Sequence, residues 1–247
     1  MNFILKQAVS ENNFEKVKEL VEKGHNIHDN DILEYLCISG NIEMLKFLAE
    51  EYKIDLTTEG FGLMHACVGG NLNVLKYLIS LGANPLKYEN LLVHTACTHG
   101  HLEIIKYLIN LGVNVTYNLG NVLSCASEVG DVEFVKNLLD KGISDVNSEG
   151  GLMIRVASKY GKFELVKFLV ENGADIHTYF EEPLRNAVLY GHIDILKFLV
   201  EKGANVNIIS KELIFKASVL YNSKEVLEYL SHVGVFPYLC RGLIGEI

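Results

Sequence analysis

Apolar and charged residues alternate along this chain with the rhythm of a helix. In residues 102–109, Leu102, Ile104, Ile105, Leu108 and Ile109 are apolar, and Glu103 and Lys106 stand between them. Apolar positions three and four apart fall on one stripe, so the segment predicts a helix with one buried face. The phrase around it returns as HACVGGNLNVLKYLISLGAN from His65, TACTHGHLEIIKYLINLGVN from Thr95, CASEVGDVEFVKNLLDKG from Cys125, VASKYGKFELVKFLVENGAD from Val156 and NAVLYGHIDILKFLVEKGAN from Asn186. Each phrase opens on a short apolar segment around an alanine. Ala66, Ala96, Ala126, Ala157, Ala187 and Ala217 follow one another at 30, 30, 31, 30 and 30 residues. Two weaker copies precede them, anchored on Ala8 and Leu36. Eight repeats therefore fill residues 1–234 and leave no length for a second domain.

Four residues after each anchor stands Gly40, Gly70, Gly100, Gly130, Gly161 or Gly191, with Asn12 in the first repeat. Glycine takes the left-handed backbone that reverses the chain between antiparallel helices. A second set (Gly24, Gly82, Gly112, Gly142, Gly173, Gly203 and Gly234) closes the second helix, with Tyr52 in its place in repeat two. One such helix pair cannot bury its own apolar face, but stacked pairs can, which predicts a solenoid. Its end repeats should differ. Lys16 stands where inner repeats carry Val74, Ile104 or Ile195, and Lys224 falls near the position of Ile193. Both substitutions fit solvent-facing caps. The remaining residues 235–247, VFPYLCRGLIGEI, are expected to cover the end of the last repeat.

The shared frame A-x-x-x-G-[HND]-[LVI]-[ED]-x-[VIL]-K-x-L-[LVI]-x-x-G-A-[DN]-[VI] resembles the ankyrin repeat over nearly the whole chain. Gly191-His192, Gly173-Ala174-Asp175-Ile176 and Gly203-Ala204-Asn205-Val206 are close matches. The resemblance implies an all-α fold: an ankyrin-like solenoid of about eight stacked helix–turn–helix units with shortened hairpin connectors. The connectors are short because the ankyrin period is about 33 residues. The family's Thr-Pro-Leu-His box survives only as Pro183-Leu184 and a lone His94, and the resemblance gives that histidine a turn-fixing hydrogen bond. The short period and the Lys/Asn/Ile bias are most similar to ankyrin arrays encoded by giant DNA viruses of amoebae.

Composition narrows the function. The 247 residues carry 31 acidic against 22 basic side chains, a net charge of −9, and no basic block. Phosphate neutralisation drives nucleic-acid affinity, so neither nucleic acid nor an anionic membrane surface is expected as a partner. No apolar run approaches the length of a spanning helix, and the N-terminus lacks the pattern of a secretory signal. Five cysteines without paired spacing point to a reducing intracellular setting, the cytoplasm of a host cell if the source is viral.

One stretch invites chemistry. Residues 94–101, HTACTHGH, gather His94, Cys97, His99 and His101. Against the other repeats, however, Cys97 falls in a small-residue column with Cys37 and Cys67, where neighbouring repeats pack. Helix axes lie about 8–10 Å apart there, too far for a disulfide. His101 shares the G-[HND] position with His192. A closed zinc site needs four converging ligands, and these side chains diverge, so no metal, cofactor or catalytic residue is assigned and no enzyme activity is expected. The lysine column Lys18, Lys46, Lys76, Lys106, Lys136, Lys167 and Lys197 has an acid three residues earlier in six of seven cases. Such pairs predict a self-neutralised outer surface.

The remaining freedom lies on the first helices and connectors, where the ankyrin resemblance places a concave groove that binds protein partners. The second and third residues after each anchor vary while the frame does not. Thr98, His99, Glu128, Lys159, Tyr160, Leu189 and Tyr190 stand at such positions, and Tyr88, Tyr117 and Tyr179 stand in connectors. Tyrosine brings large apolar area with a polar tip and few rotors, as interface hot spots do. A monomeric, non-enzymatic protein–protein interaction scaffold is the function expected. A structural component of a particle or larger assembly is the alternative.

Overall fold

A computed structural model describes residues 3–28, 30–56, 60–221 and 223–246. Seventeen α-helices are present among them and no strand. The helices are α1 (Phe3–Ser10), α2 (Phe14–Glu22), α3 (Asn30–Ser39), α4 (Ile42–Tyr52), α5 (Phe61–Gly69), α6 (Leu72–Ser80), α7 (Glu89–Thr98), α8 (Leu102–Asn110), α9 (Leu119–Val129), α10 (Val132–Asp140), α11 (Ser148–Lys159), α12 (Phe163–Glu171), α13 (Thr178–Leu189), α14 (Ile193–Glu201), α15 (Lys211–Tyr221), α16 (Lys224–His232) and α17 (Pro237–Glu246). Two compact units divide the chain, Met1–Asn121 and Val122–Ile247.

In the first unit each odd helix packs on the even helix that follows it, and α3, α5 and α7 pack side by side. In the second, α11, α13 and α15 pack in the same way, with α12, α14 and α16 behind them, and α17 lies against α15 and α16. Close packing needs small side chains at the seam. Ala66, Ala96, Ala126, Ala157, Ala187 and Ala217 are each fully buried. The second helices supply the bulk of the core through pairs such as Ile104 and Ile105, Leu165 and Val166, and Ile195 and Leu196.

In several repeats a side chain at the start of the second helix ties neighbouring repeats together. Asn71 Nδ2 donates to the carbonyls of Cys37 and Ile38 at 2.9 and 2.6 Å, and His101 Nε2 donates to Val68 at 3.0 Å. In the second unit His192 Nε2 donates to Lys159 at 2.9 Å. These side chains cross directly over the preceding repeat's reversal glycine. A Cβ at Gly70 would lie 2.6 Å from the His101 ring, and one at Gly161 2.6 Å from the His192 ring. Glycine is thus required twice over, for its positive φ (71° and 68°) and for the space above it.

Two details depart from the sequence reading. In repeat two the left-handed residue is Lys53 (φ 52°) rather than Tyr52, because α4 runs two residues longer than most second helices. The lysine column also behaves differently. Glu103–Lys106 forms an ion pair at 2.6 Å. Lys18, Lys46, Lys76 and Lys197 instead reach across to the next repeat, 5.6, 5.6, 5.2 and 5.9 Å from the rings of Phe47, Tyr77, Tyr107 and Tyr229. A cation over an aromatic face at an exposed site contributes about 0.5–1 kcal/mol, more than an exposed i,i+3 pair.

Candidate functional site

The histidines of residues 94–101 take separate hydrogen bonds once folded. Among the described residues no group of three or more His, Cys, Asp or Glu side chains is placed to hold a metal ion. His101 is committed to the Val68 carbonyl. His99 is exposed, donates from Nδ1 to the carbonyl of Thr95 at 2.9 Å and stacks on His101 with centroids 6.2 Å apart. Cys37 and Cys67 are buried, and burial pushes both thiols up to about 12, so neither supplies a thiolate near neutral pH. His94 is exposed on α7, and the turn-fixing bond its position implied is made elsewhere in that column. In repeats six and seven the same position holds Arg155 and Arg185, whose Nη2 groups donate to the connector carbonyls of Glu149 and Tyr179 at 3.3 and 2.9 Å.

The proposed groove residues separate by unit. In the first, Tyr88 is half-buried with its ring over Gly60, where a Cβ would meet it at 2.5 Å, so it serves packing. Thr98 bonds its own helix, donating to His94 at 2.8 Å. Tyr117 is 82% exposed in the connector after α8.

In the second unit the structure gathers Lys159, Tyr160 and Tyr190 at the ends of α11 and α13. Lys159 Nζ lies 5.2 Å from the Tyr160 ring and 5.9 Å from the Tyr190 ring. Tyr190 in turn meets Tyr221 edge-on at 4.9 Å and stacks on His192 at 6.5 Å. Val219 and Leu220, exposed at the end of α15, immediately precede Tyr221. Leu189 is half-buried, and Glu128 is exposed at the end of α9, where its charge, after burial, helps raise the Cys125 thiol. Tyr221 escapes a count of anchor-plus-three positions. It stands four residues after Ala217, because repeat eight carries one extra residue before its second helix.

Tyr179 lies on a connector instead. Its ring packs on Gly150 and under Arg155, whose guanidinium carbon sits 4.2 Å from the ring centroid. The first turn within the α13 range is not helical but completes the connector: Tyr179, Phe180 and Glu181 all have left-handed backbone, with φ of 48°, 58° and 60°. The equivalent residues one repeat earlier, Glu149, Gly150 and Gly151, have φ of 53°, 64° and 69°. Glu181 is buried and accepts from His177 Nδ1 at 2.6 Å, a bond that raises the histidine pKa.

The comparisons match this stack of two-helix repeats. The family model for ankyrin repeats (three copies) covers residues 5–89, 63–150, 123–210 and 152–238. This chain belongs to the ankyrin-repeat family. The ankyrin-repeat domain of human ASB11 superposes with a TM-score of 0.51 at 19% identity, over 91% of this chain and 96% of that one. A chain from the complex of the Bd0816 predatory endopeptidase of Bdellovibrio bacteriovorus with the immunity protein Bd3460 gives a TM-score of 0.53 at 25% identity, over 69% of this chain and 97% of that one. No curated protein matches the sequence. As an ankyrin-repeat protein the chain has a fold whose general use is protein–protein interaction. Among the described residues no helix is long and apolar enough to cross a membrane.

Proposed function

We propose that this ankyrin-repeat chain is a non-enzymatic interaction scaffold whose partner docks on the first-helix ends of the second unit. The observation that carries the reading is the coupled set Lys159, Tyr160, Tyr190 and Tyr221. Lys159, Tyr160 and Tyr190 sit where the frame imposes no residue type, Tyr221 joins them through the residue inserted in repeat eight, and their rings are positioned by one another. Rings held in place lose little side-chain entropy on binding, which is why such residues dominate interface energies. The complex with an immunity protein, in which a chain of similar fold takes part, supports a protein as the partner class.

The finer reading is of a monomer working inside cells, in keeping with five cysteines that form no disulfide. A viral source rests on the short period and the Lys/Asn/Ile-rich composition alone. Affinity capture with soluble lysate tests the surface. A partner retained by the native chain should be lost when Tyr160 and Tyr190 are both changed to Ala. Capture unchanged by that double substitution removes the surface from consideration. Enrichment of the chain in purified particles, with no soluble partner, favours the structural alternative.

A further inference from the structure

The connector of repeat seven holds an exposed aromatic ring on a backbone that its sequence does not favour. Left-handed backbone costs a non-glycine residue about 1–2 kcal/mol, and here three in a row adopt it without a glycine or asparagine among them. Such a conformation persists only where surrounding contacts over-determine it, and it concentrates at sites of function. The surrounding contacts are explicit. Arg185 donates to the Tyr179 carbonyl, and Thr178 Oγ1 donates to the Gly150 carbonyl at 2.8 Å. His177 bonds Glu181, and Arg155 pairs with Glu182 at 3.1 Å while covering the Tyr179 ring. Tyr179 and Glu181 are thus consumed in holding the turn. Phe180, between them, is 81% exposed and faces solvent.

We infer that this clamped turn is a second docking element, which presents Phe180 to an apolar pocket on a protein whose pocket rim is basic. A phenylalanine ring buries roughly 150–250 Å², enough to act as a single anchor. The charge around it selects the rim. Asp145, Glu149 and Asp175 are exposed on the same two connectors, Arg155 is neutralised by Glu182, and Arg185 offsets one of the three acids, which leaves a net acidic fringe. Lysine or arginine around the partner's pocket complements that fringe and speeds encounter, in a manner sensitive to salt. Arg185 is a positioning residue. It touches no partner and acts by keeping the turn in its left-handed form. This surface is separate in residues from the tyrosine set at the helix ends, so either can fail alone.

The test uses the full chain with a photo-crosslinking benzoylphenylalanine at position 180, in lysate of the cells that express it. A control places the same residue at Tyr238, which is more exposed at 89%. The expected result is one protein crosslinked from position 180 and not from 238, at a pocket that peptide mapping shows to be apolar with Lys or Arg around it. With that protein purified, Phe180→Ala should weaken binding at least about thirtyfold, and added salt should weaken the native pair further. Arg185→Met should weaken binding about five- to tenfold in the native chain and not at all in the Phe180→Ala chain, a coupling that general destabilisation does not produce. Crosslinks no more selective than those from position 238, or an affinity changed less than threefold by Phe180→Ala, would overturn the proposal. Equal losses from Arg185→Met in both backgrounds would overturn the role given to the clamp.

Discussion

The connectors leading into α7 and α13 do the same job in opposite ways. Each carries the chain from one repeat's second helix to the next repeat's first. Into α7 it is a right-handed turn, Pro85–Tyr88, opened by Asn84, whose side chain accepts from Leu86 N at 3.0 Å. Proline presets its φ, and no residue from 83 to 98 has a positive φ. Into α13 the turn is left-handed over three residues, none of them glycine, and two arginines, a threonine and a histidine hold it in place. The first solution is compatible with local preference. The second works against it, in a chain that elsewhere uses lysine for nearly every basic position. The connector into α11 makes the same left-handed turn with two glycines, so the glycine-free version is particular to repeat seven, and the residue it exposes is a phenylalanine.

The contrast predicts unequal responses to mutation. The largest is expected at Arg155. Its removal leaves Glu182 half-buried without its cation and frees the Tyr179 ring, so Arg155→Ala should cost about 2–4 kcal/mol in urea denaturation. Lys87→Ala in the right-handed connector, which loses only a cation above Tyr88, should cost no more than about 0.5 kcal/mol. Next is Gly150→Ala. The new methyl meets the Tyr179 ring at 2.7 Å on a backbone with φ of 64°, and a loss of about 1–2 kcal/mol is expected. A loss equal to that of Gly142→Ala, where φ is also 64° and the added Cβ meets nothing, would show that the connectors into α11 and α13 do not interlock.

A smaller effect has the opposite sign. Phe180→Asn replaces a residue that resists left-handed backbone with one that tolerates it, at an exposed site. It should stabilise the chain by up to about 1 kcal/mol, whereas Leu86→Asn should not. The smallest is a pH effect. The Glu181 hydrogen bond raises the pKa of His177 in the folded chain. Its stabilisation is therefore complete below the unfolded value of about 6.5 and is lost as pH rises through the higher folded value. His177→Asn should flatten that slope in thermal melts between about pH 6 and 8, and an unchanged slope assigns it to another group.

How much of this could be read from the sequence follows from what is local and what crosses repeats. The anchor alanines, both sets of glycines and the helix stripes announce the fold, because each is a local requirement repeated at a fixed period. The lysine ladder reads as i−3 ion pairing because a single repeat contains the acids. The rings that lysines actually cover belong to the next repeat, at a distance no linear reading supplies. Tyr221 was displaced by one inserted residue. The left-handed turn at 179–181 carries no glycine of its own, and its only sequence signal is Gly150-Gly151 one repeat earlier. His94 occupied the position of a turn-fixing residue, but that work falls to Arg155 and Arg185, whose longer side chains reach the carbonyl six residues back.

The central claim is that a protein partner binds the varied surface of the second unit and leaves the second helices free. Amide hydrogen exchange on the chain with and without its captured partner measures this directly. Protection is predicted in residues 156–160, 178–190 and 217–221, with 163–171 and 193–201 unchanged. Protection confined to those second helices, with the first-helix ends and the Phe180 turn exchanging as before, would contradict it.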